Sequence, residues 1–236
     1  MLSGKSTKLK AVILAAGEGV RMRPLTNTRP KPLVEVGGKP LLYYTFRALP
    51  KEVTEVAVVV GYLAEQVQEY FGTKYERFTI TYVHQAEKRG TAHALGLCRE
   101  FLGEGRFVLL YADDLQSPED VERCAAYPLA VLAKEVDDPR RFGVLVPNAD
   151  DTISQIVEKP EIPLSNLAAT GVSVLDSRVF SYPAPQHKNG EQYITDSIAG
   201  LAKVHPVKIV RASFWFPIGY PEDIAKAEAF LKGRRF

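Results

Sequence analysis

Three clusters in this chain carry residue types that can handle phosphate. The first is Gly17, Gly19, Arg21 and Lys31. Glycine lets a triphosphate come close to the backbone, and successive N–H groups in such a loop form an anion nest. Arg21 and Lys31 add fixed positive charge, and Pro24, Pro30, Pro32 and Pro40 stiffen the segment around them. The second cluster is Gln85 with Gly90 and Thr91. A glutamine amide offers both a donor and an acceptor, as the imide edge of a pyrimidine requires. Gly90 and Thr91 are read as opening a helix, whose free N–H groups suit an acceptor or an anion. The third is Asp113-Asp114, which follows an apolar run. Carboxylates at the end of a strand in α/β enzymes commonly hold Mg²⁺ against phosphates.

Each cluster has a plainer reading. Gly17 to Met22 begins like a dinucleotide fingerprint, but Met22 stands where the third glycine belongs. Gly4-Lys5-Ser6 looks like the end of a Walker loop without its strand or first glycine. A glycine-rich turn in any α/β protein would leave Arg21 and Lys31 as solvated charges. Gln85 alone could be a loop residue, Thr91 a helix cap, and the paired aspartates a surface turn. His93 reads as a packing residue, with no second ligand at metal spacing.

Taken together, the stretches Ala11–Thr26 and Arg29–Leu41 resemble the signature of the sugar-1-phosphate nucleotidylyltransferases: L-A-A-G-x-G-T-R-x-x-P-x-T, then K-P twice. Val20 replaces the usual Thr. The later series F-G-V, V-E-K-P and A-A-T-G, at Phe142, Val157 and Ala168, resembles the family's second half. The similarity runs from about Leu9 to Leu231. It implies NMP transfer from an NTP, UTP or dTTP favoured, to a sugar 1-phosphate, with Mg²⁺. It places Leu14, Ala16, Gly17, Gly19, Gln85, Gly90 and Thr91 on the nucleotide. It gives Gly143, Glu158, Lys159 and Thr170 to the sugar phosphate. Arg21, Lys31, Lys159 and Asp113 become catalytic, with Asp113 the metal ligand. One departure matters: where the pattern W-x-D-x-G-T carries a second metal-binding Asp, this chain has Pro217, and Tyr220 replaces the Thr. Without the resemblance, Glu158-Lys159-Pro160 would read as an ordinary surface turn. Two alternatives stay open: a cytidylyltransferase acting on a non-sugar phosphate such as phosphocholine or inositol phosphate, and a binding protein that has lost turnover.

The elements that must position these residues follow from hydrophobic pattern. Short apolar runs at 11–15, 53–60, 78–84 and 107–111 read as buried parallel strands. Further strands are expected at 129–134, 141–146, 153–157 and 207–211, and a short extended piece at 33–36. Helices are expected at 40–49, 62–71, 91–101, 191–202 and 221–231. This rhythm predicts an α/β fold: a doubly wound, mixed, mostly parallel Rossmann-like sheet with ligand at the strand C-termini. One domain is expected, with a nucleotide half over about 9–115 and a sugar-phosphate half over about 116–236. Met1 to Lys10 reads as a frayed polar lead-in.

Composition narrows the class. The chain has 236 residues, 46% hydrophobic and 25% charged, which suits a soluble globular protein. A net charge of +2 is too small to argue for nucleic acid or an acidic membrane as a partner, and neither is expected. Cys98 and Cys124 are read as helical, buried thiols in a reducing compartment, which makes cytoplasm the default. No run reaches membrane-spanning length. The expected partners are thus the two substrates, with a homo-oligomer left open. The resemblance implies a left-handed β-helix in many relatives, and none is expected within these 236 residues.

Overall fold

The computed structural model describes residues 8–233. The lead-in up to Thr7, with the Gly4-Lys5-Ser6 motif, lies outside them. Leu9 is already buried, and Lys10 begins the first strand, so the polar lead-in ends sooner than expected.

In chain order, β1 is Lys10–Leu14, and β2 (Glu35–Val36) and β3 (Lys39–Pro40) form a small hairpin before α1 (Leu41–Ala48). Then come β4 (Glu55–Val60), α2 (Ala64–Phe71), β5 (Lys74–Tyr75), β6 (Phe78–His84), α3 (Thr91–Gly96), α4 (Arg99–Leu102) and β7 (Phe107–Tyr111). The chain continues through β8 (Asp114–Gln116), α5 (Pro118–Ala125), β9 (Ala130–Glu135), β10 (Gly143–Pro147), β11 (Ile153–Glu158) and β12 (Leu167–Leu175). It closes with α6 (Ile194–Ala202), β13 (Lys208–Arg211), β14 (Trp215–Pro217) and α7 (Pro221–Leu231).

One ten-stranded mixed sheet runs through both halves. Its centre, β6-β4-β1-β7, is parallel. Successive side chains of these strands face opposite ways. Ala11, Ile13, Val56 and Val58 pack with Leu42, Phe46, Val67 and Val121, under α1, α2 and α5. Val12, Ala57 and Val59 pack on the other face with Ala94, Leu95, Leu102, Ile194 and Ile198, under α3, α4 and α6. Apolar residues at every position are therefore required, and the sheet is wound on both sides, as the unbroken apolar runs predict.

β12 gives the sheet its distinctive shape. Ser173 pairs with Leu109 of β7 on one side and Val131 of β9 on the other. Ala168, nearer the start of β12, pairs with Val144 of β10 and Lys134 of β9. β7 and β10 thus follow each other along one edge of β12, with a gap between them. Gly171 sits in that gap at φ +83°, and a Cβ there would lie 2.7 Å from the Tyr111 ring.

Two expectations need correction. The helix over 91–101 breaks into α3 and α4, with Cys98 between them. Its N–H reaches back three residues to Leu95 O at 2.9 Å, which tightens the turn and interrupts the α pattern. The helix expected from Glu191 starts at Ile194, because Gln192 runs extended: its N–H donates to Arg89 O, and its own carbonyl accepts from Ala92 N. Pattern gave no sign of the β8–β14 ladder, which pairs Pro217 with Asp114. A third cluster, including Met22, Val36, Leu41, Tyr44, Leu115, Ile218 and Ala227, seats α7 and the β2–β3 hairpin beside it. Among the described residues no helix is long and apolar enough to cross a membrane.

Candidate active site

Two cavities, of about 320 and 330 Å³, open at the C-terminal ends of β1 and β7. The first is walled by Leu14, Ala16, Gly17, Gln85, Gly90 and Thr91. The second holds Gly143, Glu158, Lys159 and Thr170. Lys31, Thr91, Tyr111 and Asp113 line both and form the seam between them.

In the first cavity the Gln85 amide has one orientation. Its nitrogen donates to Gly90 O at 3.1 Å and lies 3.0 Å from His93 Nδ1. The Gly90 carbonyl can only accept, so nitrogen must face it. His93 Nδ1 then accepts the second N–H, which puts the ring proton on Nε2. Gln85 Oε1 accepts from no described residue. His93 is therefore more than packing. Gly90 has φ +87°, and a Cβ on it would meet Gln192 O at 2.4 Å, so glycine is required for α3 to begin there. The Thr91 hydroxyl accepts from Ile194 N at 2.9 Å, tying α3 to α6.

Gly19 is absent from both walls. It turns the loop at φ +62°, and a Cβ would stand 2.9 Å from Lys31 Cβ. Its part is to let Lys31 pass close behind the loop. Lys31 is buried, and its ammonium reaches Asp113 Oδ2 at 2.6 Å. The other oxygen of Asp113 takes no hydrogen bond from a described residue. Arg21 lines the second cavity and not the first.

In that second cavity Glu158 accepts from the Thr195 hydroxyl at 2.8 Å and lies 3.3 Å from Lys159 Nζ. Lys159 takes a left-handed φ of 45°, a strained conformation for a residue with a side chain. Its ammonium sits 4.3 Å from the centre of the Tyr193 ring. Burial pulls the Lys159 ammonium down, but the charges of Glu158 and Tyr193 outweigh it and hold it above the usual lysine range. Thr170 lines this cavity, and its buried hydroxyl donates to Leu132 O at 3.2 Å, tying it to the sheet. Asp114 turns its carboxylate to the Trp215 indole N–H at 2.8 Å. Burial, with Asp113 alongside, pushes Asp114 up to about 8 against the pull of Lys31 and Trp215. Burial and the Glu158 charge likewise raise Tyr111.

Sequence reasoning did not single out Arg141, Tyr193 or Thr195. Each comes from a segment remote in sequence, and none belongs to a motif with phosphate chemistry. As to metal, the described residues hold no ready cluster of three His, Cys, Asp or Glu side chains. Asp113 still suits Mg²⁺, which commonly takes one or two carboxylates and fills its remaining positions with phosphate oxygens and water. Pro217, across the ladder from Asp114, adds no side-chain oxygen.

A family model described as nucleotidyl transferase matches residues 10–234. The chain is 37% identical over 236 residues to the UTP–glucose-1-phosphate uridylyltransferase AglF of Haloferax volcanii, covering 95% of this chain and 97% of that protein. It is 33% identical over 226 residues to the bifunctional protein GlmU of Methanocaldococcus jannaschii, covering 94% of this chain and 54% of that one. This chain thus spans about half the length of the bifunctional relatives. Among solved structures, a Bacillus anthracis protein described as a glucose-1-phosphate thymidylyltransferase superposes with a TM-score of 0.86 at 32% identity, covering 97% of each chain. A UDP-glucose pyrophosphorylase complexed with UDP-glucose gives 0.85 at 26%, covering 97% of this chain and all of that one.

Proposed function

The chain belongs to the nucleotidyl transferase family, and from that premise we propose that it joins a sugar 1-phosphate to an NTP, giving an NDP-sugar and pyrophosphate. The observation that carries this reading is the seam. Two cavities of similar size meet at Lys31, Asp113, Thr91 and Tyr111, so two ligands held separately would touch there.

An oxygen of the sugar phosphate attacks the α-phosphorus, and the bond to the β-phosphate oxygen breaks as pyrophosphate leaves. A phosphate monoester loses its second proton near pH 6, so no general base is required. The protein's task is positioning and charge. Lys159 holds the attacking phosphate, and Glu158, kept in place by Thr195, accepts from sugar hydroxyls. Lys31 stands at the meeting point of α-phosphate and nucleophile. Asp113 would hold Mg²⁺ with its free oxygen. When bound, that ion would withdraw charge from the α-phosphate.

With both N–H groups engaged, the Gln85 amide presents a bare acceptor. Uracil and thymine can meet it with the N3 donor and cytosine with its 4-amino group, so the amide alone does not choose the base. UTP or dTTP is favoured over the cytidylyltransferase alternative by the relatives, which include a UTP–glucose-1-phosphate uridylyltransferase and a glucose-1-phosphate thymidylyltransferase. The two cysteines are buried free thiols, which accords with a cytoplasmic setting. One panel of nucleotides against sugar 1-phosphates, read by pyrophosphate release, tests the reading. Nucleotide binding without release from any pair at saturating Mg²⁺ would replace it with the binding-protein alternative.

A further inference from the structure

Lys159 follows Glu158 directly, yet both side chains line the sugar-side cavity. Along a strand, neighbouring side chains face opposite ways. The left-handed φ of 45° at Lys159, just past the end of β11, breaks that alternation and turns the lysine to the side of Glu158. Its N–H still donates to Phe142 O at 3.0 Å, so the backbone stays tied to the entry of β10. An ammonium beside a carboxylate on the preceding residue is drawn to close on it. Full closure would spend both charges on each other and leave neither for a substrate. The closure is incomplete: Nζ stands 3.3 Å from Glu158 Oε1, beyond the roughly 2.7–2.9 Å of a charge-assisted hydrogen bond. The ammonium is shared instead with the face of Tyr193, 4.3 Å from the ring centre.

Tyr193 is itself locked. Its phenol donates to Glu191 Oε2 at 2.5 Å and accepts from Asn189 Nδ2 at 2.7 Å. Asn189 Nδ2 also donates to that Glu191 oxygen at 3.0 Å, which closes the triangle. The His187 ring packs edge-on against the Tyr193 ring, with centroids 4.9 Å apart, and its Nε2 lies 2.8 Å from Asp196 Oδ2 in the first turn of α6. The backbone on either side is pinned to the nucleotide-side loop, Gln192 through Arg89 O and Ala92 N, and Ile194 N through the Thr91 hydroxyl. A ring fixed at its hydroxyl, along its edge and through its backbone presents one steady face. Such a face attracts an ammonium through the ring quadrupole and takes up no lone pair or carboxylate charge in doing so.

We propose that Tyr193 is a positioning residue for Lys159. Its face, locked by Glu191 and Asn189, keeps the ammonium from closing on Glu158, so that Lys159 meets the attacking phosphate while Glu158 accepts from the sugar hydroxyls. This rests on the nucleotidyl-transfer reading for the identity of the substrate. The place of the ammonium itself can be tested without turnover.

The experiment is NMR on protein isotopically labelled at the lysine ε-carbons, joined to initial rates with UTP and glucose 1-phosphate varied in turn. An aromatic ring current shifts protons above its face upfield. The Lys159 signal, assigned by its loss in Lys159→Arg, should be upfield in wild type and return to the ordinary lysine position in Tyr193→Leu. Tyr193→Leu should raise KM for glucose 1-phosphate by about 3- to 30-fold, the range of a lost cation–π contact, while KM for UTP stays within about twofold. Tyr193→Phe keeps the face and loses both phenol bonds. It should recover part of the upfield shift and part of the KM, with little change in Tm. The proposal is overturned if wild-type Lys159 shows no upfield shift, or if Tyr193→Phe matches wild type in both shift and KM. It is equally overturned if folded Tyr193→Leu leaves KM for glucose 1-phosphate within twofold of wild type or raises both KM values alike. Should neither this pair nor the wider panel of nucleotides and sugar 1-phosphates turn over while the shift is present and depends on Tyr193, Tyr193 still positions Lys159 and the transferase reading falls.

Discussion

Gly143→Ala is a sharp probe of the sugar-side cavity. Gly143 opens β10 opposite Glu158 in the β10–β11 ladder, and its backbone is not left-handed, so alanine brings no backbone strain. What the new methyl meets is side chain: Thr195 Cγ2 at 2.7 Å, Glu158 Oε2 at 3.3 Å and Ala169 Cβ at 3.7 Å. Ordinary contact begins near 3.4 Å, so the Thr195 methyl must retreat by about 0.7 Å. Thr195 is packed in the first turn of α6 and has little room to do so. A retreat of that size stretches its 2.8 Å bond to Glu158 to roughly 3.5 Å, beyond hydrogen-bonding range. A hydrogen bond to a charged group contributes about 1.5–3 kcal/mol, so kcat/KM for the sugar phosphate should fall by roughly 10- to 150-fold. KM for the NTP should stay near wild type, since Gly143 does not line the nucleotide cavity. Overpacking of about 1–3 kcal/mol should also lower Tm by several degrees. Initial rates with each substrate varied in turn, beside thermal unfolding, measure all three quantities. A folded variant with sugar-phosphate kinetics within twofold of wild type would refute the assignment of Glu158 and Thr195. So would an equal rise in both KM values.

Four further outcomes are expected. Lys159→Ala should raise KM for the sugar phosphate far more than KM for the nucleotide, costing about 2–4 kcal/mol in kcat/KM; equal effects would remove Lys159 from the attacking phosphate. Asp113→Asn should abolish turnover, because Pro217 offers no second carboxylate. Pro217→Asp should lower the Mg²⁺ concentration for half-maximal rate, and a Mg²⁺ titration that does not move would count against the one-carboxylate site. The last concerns pH. Burial raises Asp114 to about 8 in the folded state from 3.8, so the folded protein holds a proton that the unfolded chain has lost. The stability this lends is present below about pH 4 and drains away as pH rises to about 8. In metal-free buffer, Asp114→Asn should therefore flatten the fall in Tm across that window; an unchanged slope would show that Asp114 is not its source.

The sequence made the phosphate side legible because its chemistry is local. Gly17, Gln85 and Asp113 each lie just beyond the end of an apolar strand, and parallel strands bring their C-termini to one edge. The sugar side was less legible. Thr195 reaches Glu158 across thirty-seven residues, and Arg141 lies 5.9 Å from the Tyr220 ring over a still longer separation, so no spacing rule links them. The β8–β14 ladder stayed hidden for a different reason. Its strands are three residues each, too short for alternation, and Pro217 argues against a strand unless the strand is an edge. β14 is such an edge, pairing with β8 alone. The closeness of Gly19 to Lys31 was hidden because a glycine that makes room for a side chain looks, in sequence, like one that makes room for a phosphate.

The gap along β12 explains why the two cavities meet where they do. A strand that paired with one neighbour throughout would leave an unbroken sheet and no opening. β12 instead leaves β7 near Ser173 and takes up β10 at Ala168, and the intervening residues lie beside the end of β7. Gly171 keeps that passage low enough for the Tyr111 ring to lie against it. Tyr111 in turn is one of the four residues common to both cavities. The change of partner therefore opens the sheet beside Asp113, where β7 has just ended. Lys31 arrives at the same point from the signature loop, by way of a turn that only Gly19 allows. Charge, opening and loop converge at one place, and a reaction between two polyanions requires all three there.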